Sequence, residues 1–288
     1  MNSGKNIVIS MRPPQWIKNI LVFAALFFQP DVLGMKQVAH VVTTFLAFCM
    51  VSSGVYIFND IFDKERDQRH PEKCKRPIAS GELETGTAAF AGAVILIAGL
   101  GIAGLLGTGL LTIAGMYICL NIAYSAYLKN LVILDAFLVA LGFVLRVVAG
   151  AEVIQAPISF WIILCTILGS LFLTFSKRRH ELTLIGNAGD HRLSLTNYDT
   201  YFLDQMIAVA TSGTVIAYAL WTRDLETEKK FGYHLTYTIP FVCYGIFRYL
   251  YIVHRKGLGG DPTRIFLTDL PLILNIVLWA VVVGMVVY

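Results

Sequence analysis

Long apolar runs separated by short polar stretches organise this chain. A helix that crosses a bilayer needs about 20 mostly apolar residues. Nine runs meet that length: 16–34, 38–58, 87–107, 109–128, 131–150, 157–175, 204–221, 235–253 and 270–288. The third and fourth are parted only by the glycine-rich turn Gly104–Gly109, whereas the long polar segment Ser176–Asp204 parts the sixth and seventh. The pattern predicts an all-α, polytopic membrane protein of about nine helices, forming one domain over 1–288.

Composition agrees. Of 288 residues, 56% are hydrophobic and 15% charged, with a mean hydropathy of +0.66. Soluble domains are roughly half apolar and about a quarter charged. The net charge of +4 is small and no nucleic-acid-binding motif accompanies it, so lipid rather than nucleic acid is the expected surrounding. Cys49, Cys74, Cys119, Cys165 and Cys243 are scattered, with no CxxC pair, which argues against a zinc site or a disulfide framework. Met1–Pro14 carries Lys5 and Arg12 but no short apolar core with a small-residue cleavage site, so it does not read as a cleavable signal. Helix packing in a bilayer accommodates a monomer or a small homo-oligomer equally.

Basic residues then set the orientation. With the N-terminus in the cytoplasm and nine spans, 17 of the 23 Lys and Arg fall on the inner side and 4 on the outer, leaving Arg146 and Arg248 within spans. That is the positive-inside bias of a plasma-membrane protein, and an even number of spans would spoil it. The two long polar loops, 59–86 and 176–203, both face the cytoplasm in this arrangement, and chemistry is expected there.

The second span runs into Asn59-Asp60-Ile61-Phe62-Asp63-Lys64-Glu65-Arg66-Asp67. On a helix, Asn59, Asp63 and Asp67 stack three oxygen ligands along one face. Like charges so placed repel, and a divalent cation relieves the repulsion. Oxygen donors suit Mg²⁺, which takes one or two carboxylates together with phosphate oxygens. The plainer reading is a solvated helix end with Lys64 and Arg66 as ion-pair partners. Against it, the cluster sits at a membrane boundary and is followed at once by Lys73, Lys75 and Arg76. Acid for a metal beside base for phosphate is what a diphosphate site needs. Pro77 and Gly81 in Arg76-Pro77-Ile78-Ala79-Ser80-Gly81 set a turn back to the membrane, and the Arg76 guanidinium is the fork best suited to phosphate.

At these residues a resemblance becomes specific. Asn59-Asp60-x-x-Asp63-x-x-x-Asp67, followed by His70-Pro71-x-Lys73-x-x-Arg76-Pro77-Ile78, resembles the first aspartate motif of the UbiA superfamily of intramembrane prenyltransferases. Arg12-Pro13-x-Gln15-Trp16-x-Lys18-Asn19 is similar to one branch, the decaprenyl-phosphate phosphoribosyltransferases. So are Tyr124-Ser125-x-x-Leu128-Lys129, Leu145-Arg146-x-x-Ala149-Gly150, Ser176-Lys177-Arg178 and Pro240-Phe241 with Arg248-Tyr249. The resemblance covers residues 12 to about 275. It implies a helical bundle around a polar cavity open to the cytoplasm, phosphoribosyl pyrophosphate (PRPP) as donor, a polyprenyl phosphate as acceptor, and a lipid-linked phosphoribose that feeds cell-envelope glycans. One departure from ordinary prenyltransferases is informative. Their second motif, DxxxD, is replaced here by the basic run Phe175-Ser176-Lys177-Arg178-Arg179-His180-Glu181, and the remaining acids Asp190 and Asp199 do not form it. A donor with one metal-bound diphosphate and a further phosphate held by cations fits that loop better.

Roles follow as expectations. Asn59, Asp63 and Asp67 hold Mg²⁺, and Asp60 stabilises the ribose or the developing cation. Lys73 and Arg76 clamp the diphosphate. Lys18, Lys129, Lys177 and Arg178 hold the 5-phosphate or the lipid phosphate, unless they serve only as positive-inside anchors. Tyr124 hydrogen-bonds a phosphate. Arg146, deep in the fifth span, is a functional candidate because a charge there is costly, with a structural ion pair to Glu152 or Asp135 as the competing reading. Asp135 is an extra ligand or a partner of Lys129, and Arg248 snorkels to the inner face. Gly99-x-Gly101-x-x-Gly104 spells a dinucleotide fingerprint but has no strand before it, so close helix packing is expected instead. Trp16, Trp161, Trp221 and Trp279 read as interfacial anchors. Two other classes compete: a prenyltransferase acting on an aromatic acceptor, disfavoured by the basic loop, and a non-catalytic transporter, disfavoured because the ionisable groups gather at one face and no repeat relates the halves.

Overall fold

The computed structural model describes residues 3–29, 34–69, 71, 73–184 and 197–288. His70, Asp190 and Arg192 lie outside them. All regular structure among the described residues is helical. In chain order the α-helices are α1 (Ser3–Met11), α2 (Ala24–Phe27), α3 (Met35–Phe62), α4 (Lys64–Gln68), α5 (Thr85–Leu106), α6 (Thr108–Ala126), α7 (Leu134–Val153), α8 (Phe160–Leu184), α9 (Thr200–Thr222), α10 (Leu225–Phe231), α11 (Ile239–Arg255), α12 (Pro262–Thr268) and α13 (Leu270–Val287). Seven of these, α3, α5, α6, α7, α8, α9 and α13, are long and apolar enough to cross a bilayer.

The other two expected spans are composite. Residues 16–34 do not form one α-helix: Pro13–Phe23 is a 3₁₀ helix of 11 residues, followed by the single turn α2. Pro13 and Pro14 begin it, and Arg12 just before them has a left-handed backbone (φ 56°). At about 2.0 Å per residue, an 11-residue 3₁₀ stretch travels about 22 Å, so a short segment gains length by narrowing. Likewise, 235–253 resolves into a 3₁₀ segment, Gly232–Thr238, leading into α11 with Pro240 in its first turn.

The chain divides into two compact units: Met1–Tyr127 with Leu145–Pro157, and Leu128–Val144 with Ile158–Tyr288. The boundary falls inside α7, whose first half belongs to the second unit and whose second half belongs to the first.

In the first unit α3 packs on α5, α1 and the 3₁₀ segment. Between membrane helices, close packing rather than water exclusion provides the attraction, and small residues permit it. A Cβ on Gly54 would lie 2.9 Å from that of Leu96, and one on Gly99 would lie 3.0 Å from the Val51 nitrogen. The expectation for the Gly99 run is therefore met at Gly99 alone, since a Cβ on Gly101 would touch nothing within 4 Å. Gly150 lies against the Val22 carbonyl, leaving no room for a side chain. Val22, Phe48, Val51, Leu110, Tyr117, Leu145 and Ala149 share one core. A smaller cluster of Ile57, Ile78, Leu83 and Ala88, with Ile7 and Met11 of α1 against it, ties the N-terminal helix and the 76–83 turn to the C-terminal end of α3.

In the second unit α8 packs on α9, and α11 packs on α13 and α9. Ala136, Ala140, Phe172, Phe175, Leu203, Tyr249 and Leu272 form its core. Trp16 donates its indole N–H to Ser53 (3.0 Å) in the first unit, and Trp279 donates its own to Tyr218 (2.9 Å) in the second.

Candidate active site: an acidic helix end bridged by arginines

The α-helical register of α3 carries Asn59 and Asp60 to its last turn, and the chain then kinks at Asp63 (φ −91°, ψ 7°), which ends α3 and begins α4. The kink does not break the backbone spacing. The Asp63 N–H donates to the Asn59 carbonyl (2.9 Å), and the Asp67 N–H to the Asp63 carbonyl (2.8 Å). Asn59, Asp63 and Asp67 thus keep the one-turn spacing their sequence positions predict, across the end of the long helix α3 and the short helix α4 rather than on one continuous helix.

Around them the charges are paired. Asp60 and Asp67 are each only 3% exposed. Arg76 donates from Nη1 to Asp67 Oδ2 (2.5 Å) and to Asp60 Oδ1 (3.0 Å). Arg12 donates to the same Asp60 oxygen and lies over the Tyr56 ring, 5.1 Å from its centroid. Asn59 Oδ1 accepts from the Ser125 hydroxyl of α6 (2.9 Å).

The Arg76 turn is rigid for local reasons. The Ser80 N–H donates to the Arg76 carbonyl (2.8 Å) and the Leu83 N–H to the Pro77 carbonyl (2.8 Å), while Gly81 takes a positive φ of 82° that other residues rarely adopt. Ile78, Ala79 and Leu83 are buried, so the turn is packed rather than draped over the surface.

Arg146 lies in the same unit, 4% exposed. Its Nε donates to Asn19 Oδ1 (2.7 Å) and its Nη2 to Tyr117 OH (3.0 Å), and its guanidinium stacks over the Tyr117 ring at 4.7 Å. Asn19 in turn donates to Cys49 Sγ (3.3 Å) and to the Ser52 hydroxyl (3.4 Å). Lys18, Lys73 and Tyr124 are partly exposed members of this unit.

Lys129, Lys177 and Arg178 belong to the second unit. Arg178 is buried and donates from Nε to Asp135 Oδ2 (3.0 Å) and from Nη1 to Glu181 Oε2 (2.9 Å). Asp135, which its spacing set beside Lys129 or Arg146, is wholly buried, held by Arg178 and by the Tyr198 hydroxyl (2.9 Å). Burial, chiefly, pushes the Tyr198 phenol above its ordinary value, so it stays a neutral donor. Next to Arg178, Arg179 pairs with Asp204 (2.5 Å), which also meets His254 (3.1 Å). Arg248, read as snorkelling, forms two hydrogen bonds to Asp269, each 2.9 Å. The Arg248 hydrogen bond holds the Asp269 carboxyl below the usual carboxylate range.

Arg12, Asn19 and Tyr117 are among the participants with no assigned role from the sequence. Arg12 precedes two prolines that fix its direction, and Asn19 and Tyr117 are polar groups in apolar runs. That polar-in-apolar placement was the available signal.

A set of oxygen donors at the end of one membrane helix, flanked by the partly exposed Arg12 and Arg76, suits a metal-bound diphosphate. No three His, Cys, Asp or Glu converge among the described residues, so a cation here would draw the rest of its shell from elsewhere. The model of the UbiA prenyltransferase family matches residues 20–267. The chain belongs to the UbiA prenyltransferase family. It is similar to the decaprenyl-phosphate phosphoribosyltransferase of Corynebacterium glutamicum, at 35% identity over 100% of this chain and 88% of that protein. The enzyme of the same name from Mycolicibacterium smegmatis is 32% identical over 100% of this chain and 94% of its own. Among solved structures, a UbiA homolog from Archaeoglobus fulgidus bound to GPP and Mg²⁺ superposes with a TM-score of 0.75 at 17% identity, covering 98% of this chain and 99% of that one. At that identity the likeness carries the fold. The chain is thus an integral membrane transferase of the UbiA fold.

Proposed function

We propose that this UbiA-family protein transfers the 5-phosphoribosyl group of PRPP to a polyprenyl phosphate of decaprenyl type. Diphosphate is released, and polyprenyl-phosphoryl-5-phosphoribose is formed. The reading rests above all on near-complete likeness, at 32–35% identity, to enzymes named for that substrate. The basic run at Lys177, Arg178 and Arg179, standing where a second acidic pair would serve a prenyl diphosphate, supports it independently.

The donor set suits Mg²⁺. Asn59, Asp63 and Asp67 offer one amide and two carboxylates at one-turn spacing, and Mg²⁺ characteristically completes such a partial set with water and phosphate oxygens. When bound there, the cation supplies positive charge to the diphosphate leaving group. Everything else falls to the chain. Arg76 and Lys73 hold the diphosphate, and Arg76 is already placed beside Asp60 and Asp67. An oxygen of the acceptor phosphate forms a bond to the anomeric carbon as the bond from that carbon to diphosphate breaks. The nucleophile enters as an anion, so no general base is needed. Asp60 offers negative charge to the oxocarbenium character that develops on the ribose. Lys18, Lys129, Lys177 and Tyr124 are assigned by their motifs to the remaining phosphates, whereas Arg178 is buried against Asp135 and Glu181 and serves to position that region. Arg146 fixes Asn19 and Tyr117, keeping the wall of the first unit in register. The chain is read as one functional domain, with its N-terminus and acidic helix end on the cytoplasmic side of the plasma membrane.

The test is transfer of label from radiolabelled PRPP to a polyprenyl phosphate in detergent, with and without Mg²⁺, wild type beside Asp63→Ala. Metal-dependent label in the lipid phase that disappears in the variant is the expected result. Lack of label with several chain lengths, together with product from a prenyl diphosphate and an aromatic acid, would replace this reading with prenyl transfer.

A further inference from the structure

A loop in the second unit is held against its own backbone preference. Ile133 has a φ of 69°, in the left-handed region that a β-branched residue strongly disfavours. Its N–H donates to the Tyr198 hydroxyl at 2.6 Å. That hydroxyl donates to Asp135 Oδ1 at 2.9 Å, and Arg178 Nε donates to Asp135 Oδ2 at 3.0 Å. Tyr198, Asp135 and Arg178 are 5%, 0% and 3% exposed. Immediately before Ile133, the 3₁₀ turn Leu128–Asn130 carries Lys129 and is closed by the Leu131 N–H on the Leu128 carbonyl (3.2 Å).

Such strain persists only where the surroundings over-determine it. Here a chain of hydrogen bonds, buried at Asp135 and part-buried at Ile133, from the start of α7, the end of α8 and the segment leading into α9 does so. A buried ion pair adds little net stability compared with apolar packing. What this network supplies is one fixed backbone path for the loop.

We propose that Tyr198, acting with Asp135 and Arg178, is a positioning residue that fixes the Leu128–Ile133 loop and thereby the point at which Lys129 presents its ammonium to a substrate phosphate. The identity of that phosphate rests on the phosphoribosyl-transfer reading, whereas the clamp on the loop does not.

The experiment compares full-length wild type with Tyr198→Phe. This change removes one hydroxyl and keeps the ring stacked on Phe202, whose centroid is 6.0 Å away, so folding is retained. Amide hydrogen exchange is measured across 128–137. Protection at Ile133 is expected to fall about tenfold or more, with α8 and α9 unchanged. In the transfer assay, KM for one phosphate substrate is expected to rise about tenfold while kcat stays within about twofold, as for a lost binding contact. Lys129→Gln should raise the same KM, and Tyr198→Phe added to it should raise it no further. Unchanged exchange at Ile133, or KM effects that multiply in the double variant, would overturn the proposal. If wild type transfers nothing from PRPP, the reaction assignment falls, and the exchange measurement on the same protein still decides whether Tyr198 holds the loop.

Discussion

Arg76 and Asp67 form a 2.5 Å ion pair between a rigid turn and the acidic end of a membrane helix, and the same Arg76 nitrogen also reaches Asp60 at 3.0 Å. One guanidinium therefore bridges two buried carboxylates, with Arg12 sharing Asp60, and one of the two, Asp67, is assigned to the cation. Removing it has two effects of opposite sign on metal affinity and on activity.

Arg76→Ala is expected to lower transfer by about a hundredfold or more, the scale for losing a charged group that stabilises a leaving group. It should also lower the apparent melting temperature without metal, because the buried Asp67 loses its ion-pair partner. Added Mg²⁺ should then raise the melting temperature of the variant more than that of wild type. Thermal melts with and without Mg²⁺ read this directly, and equal metal-induced shifts would count against a shared site.

Arg146 should behave as a structural residue. Its truncation in Arg146→Met leaves Asn19 Oδ1 and Tyr117 OH without their buried donor. A loss of about 1–3 kcal/mol is expected for each buried group left unsatisfied. The melting temperature of the purified protein should fall, and Asn19→Leu combined with Arg146→Met should cost less than the two single losses summed.

Gly150→Ala and Gly101→Ala make a matched pair. Gly150 faces the Val22 carbonyl with no room for a Cβ, whereas a Cβ on Gly101 meets nothing. The first should destabilise by about 1–3 kcal/mol through overpacking. The second should be neutral or gain up to about 1 kcal/mol from helix propensity. Apparent melting temperatures of the two variants give the comparison.

The Asp269–Arg248 pair gives a signed pH dependence. Arg248 holds the Asp269 carboxyl below the ordinary carboxylate range. Its contribution to stability is therefore fully present above the unfolded value of about 3.9 and is lost as pH falls through the lower folded value. Asp269→Asn, which keeps an oxygen for the α13 cap, should melt below wild type at pH 7. The gap should close as pH falls below about 4, and a gap that stayed constant into acid would sink the assignment.

How far the sequence reached can be judged from particular residues. Seven spans were legible because hydropathy alone sets them. The narrow path of Pro13–Phe23 was not, because apolar content does not distinguish a 3₁₀ helix from an α-helix. The spacing of Asn59, Asp63 and Asp67 was legible because it is local. The pairing of Asp60 with Arg12 joins residues 48 apart, and the pairing of Asp135 with Arg178 joins residues 43 apart. Neither leaves a trace in local pattern, so Asp135 was set beside Lys129, its neighbour in sequence, instead of its neighbour in space. Gly99 was read correctly as a packing glycine, whereas Gly54 lacked a motif and Gly150 stood out only through the family resemblance, with no signal of its close contact to Val22.

The division of α7 between the two units imposes an order on synthesis. The first unit lacks residues 145–157 until the ribosome has passed Pro157, about midway along the chain, and only then is it complete. Residues 128–144, made earlier, must wait for the second half of the chain to supply their neighbours. Asp135 emerges 43 residues before Arg178 and 63 before Tyr198, the two groups that finally enclose it. For that interval the acidic side chain at the head of α7 stands without its eventual partners.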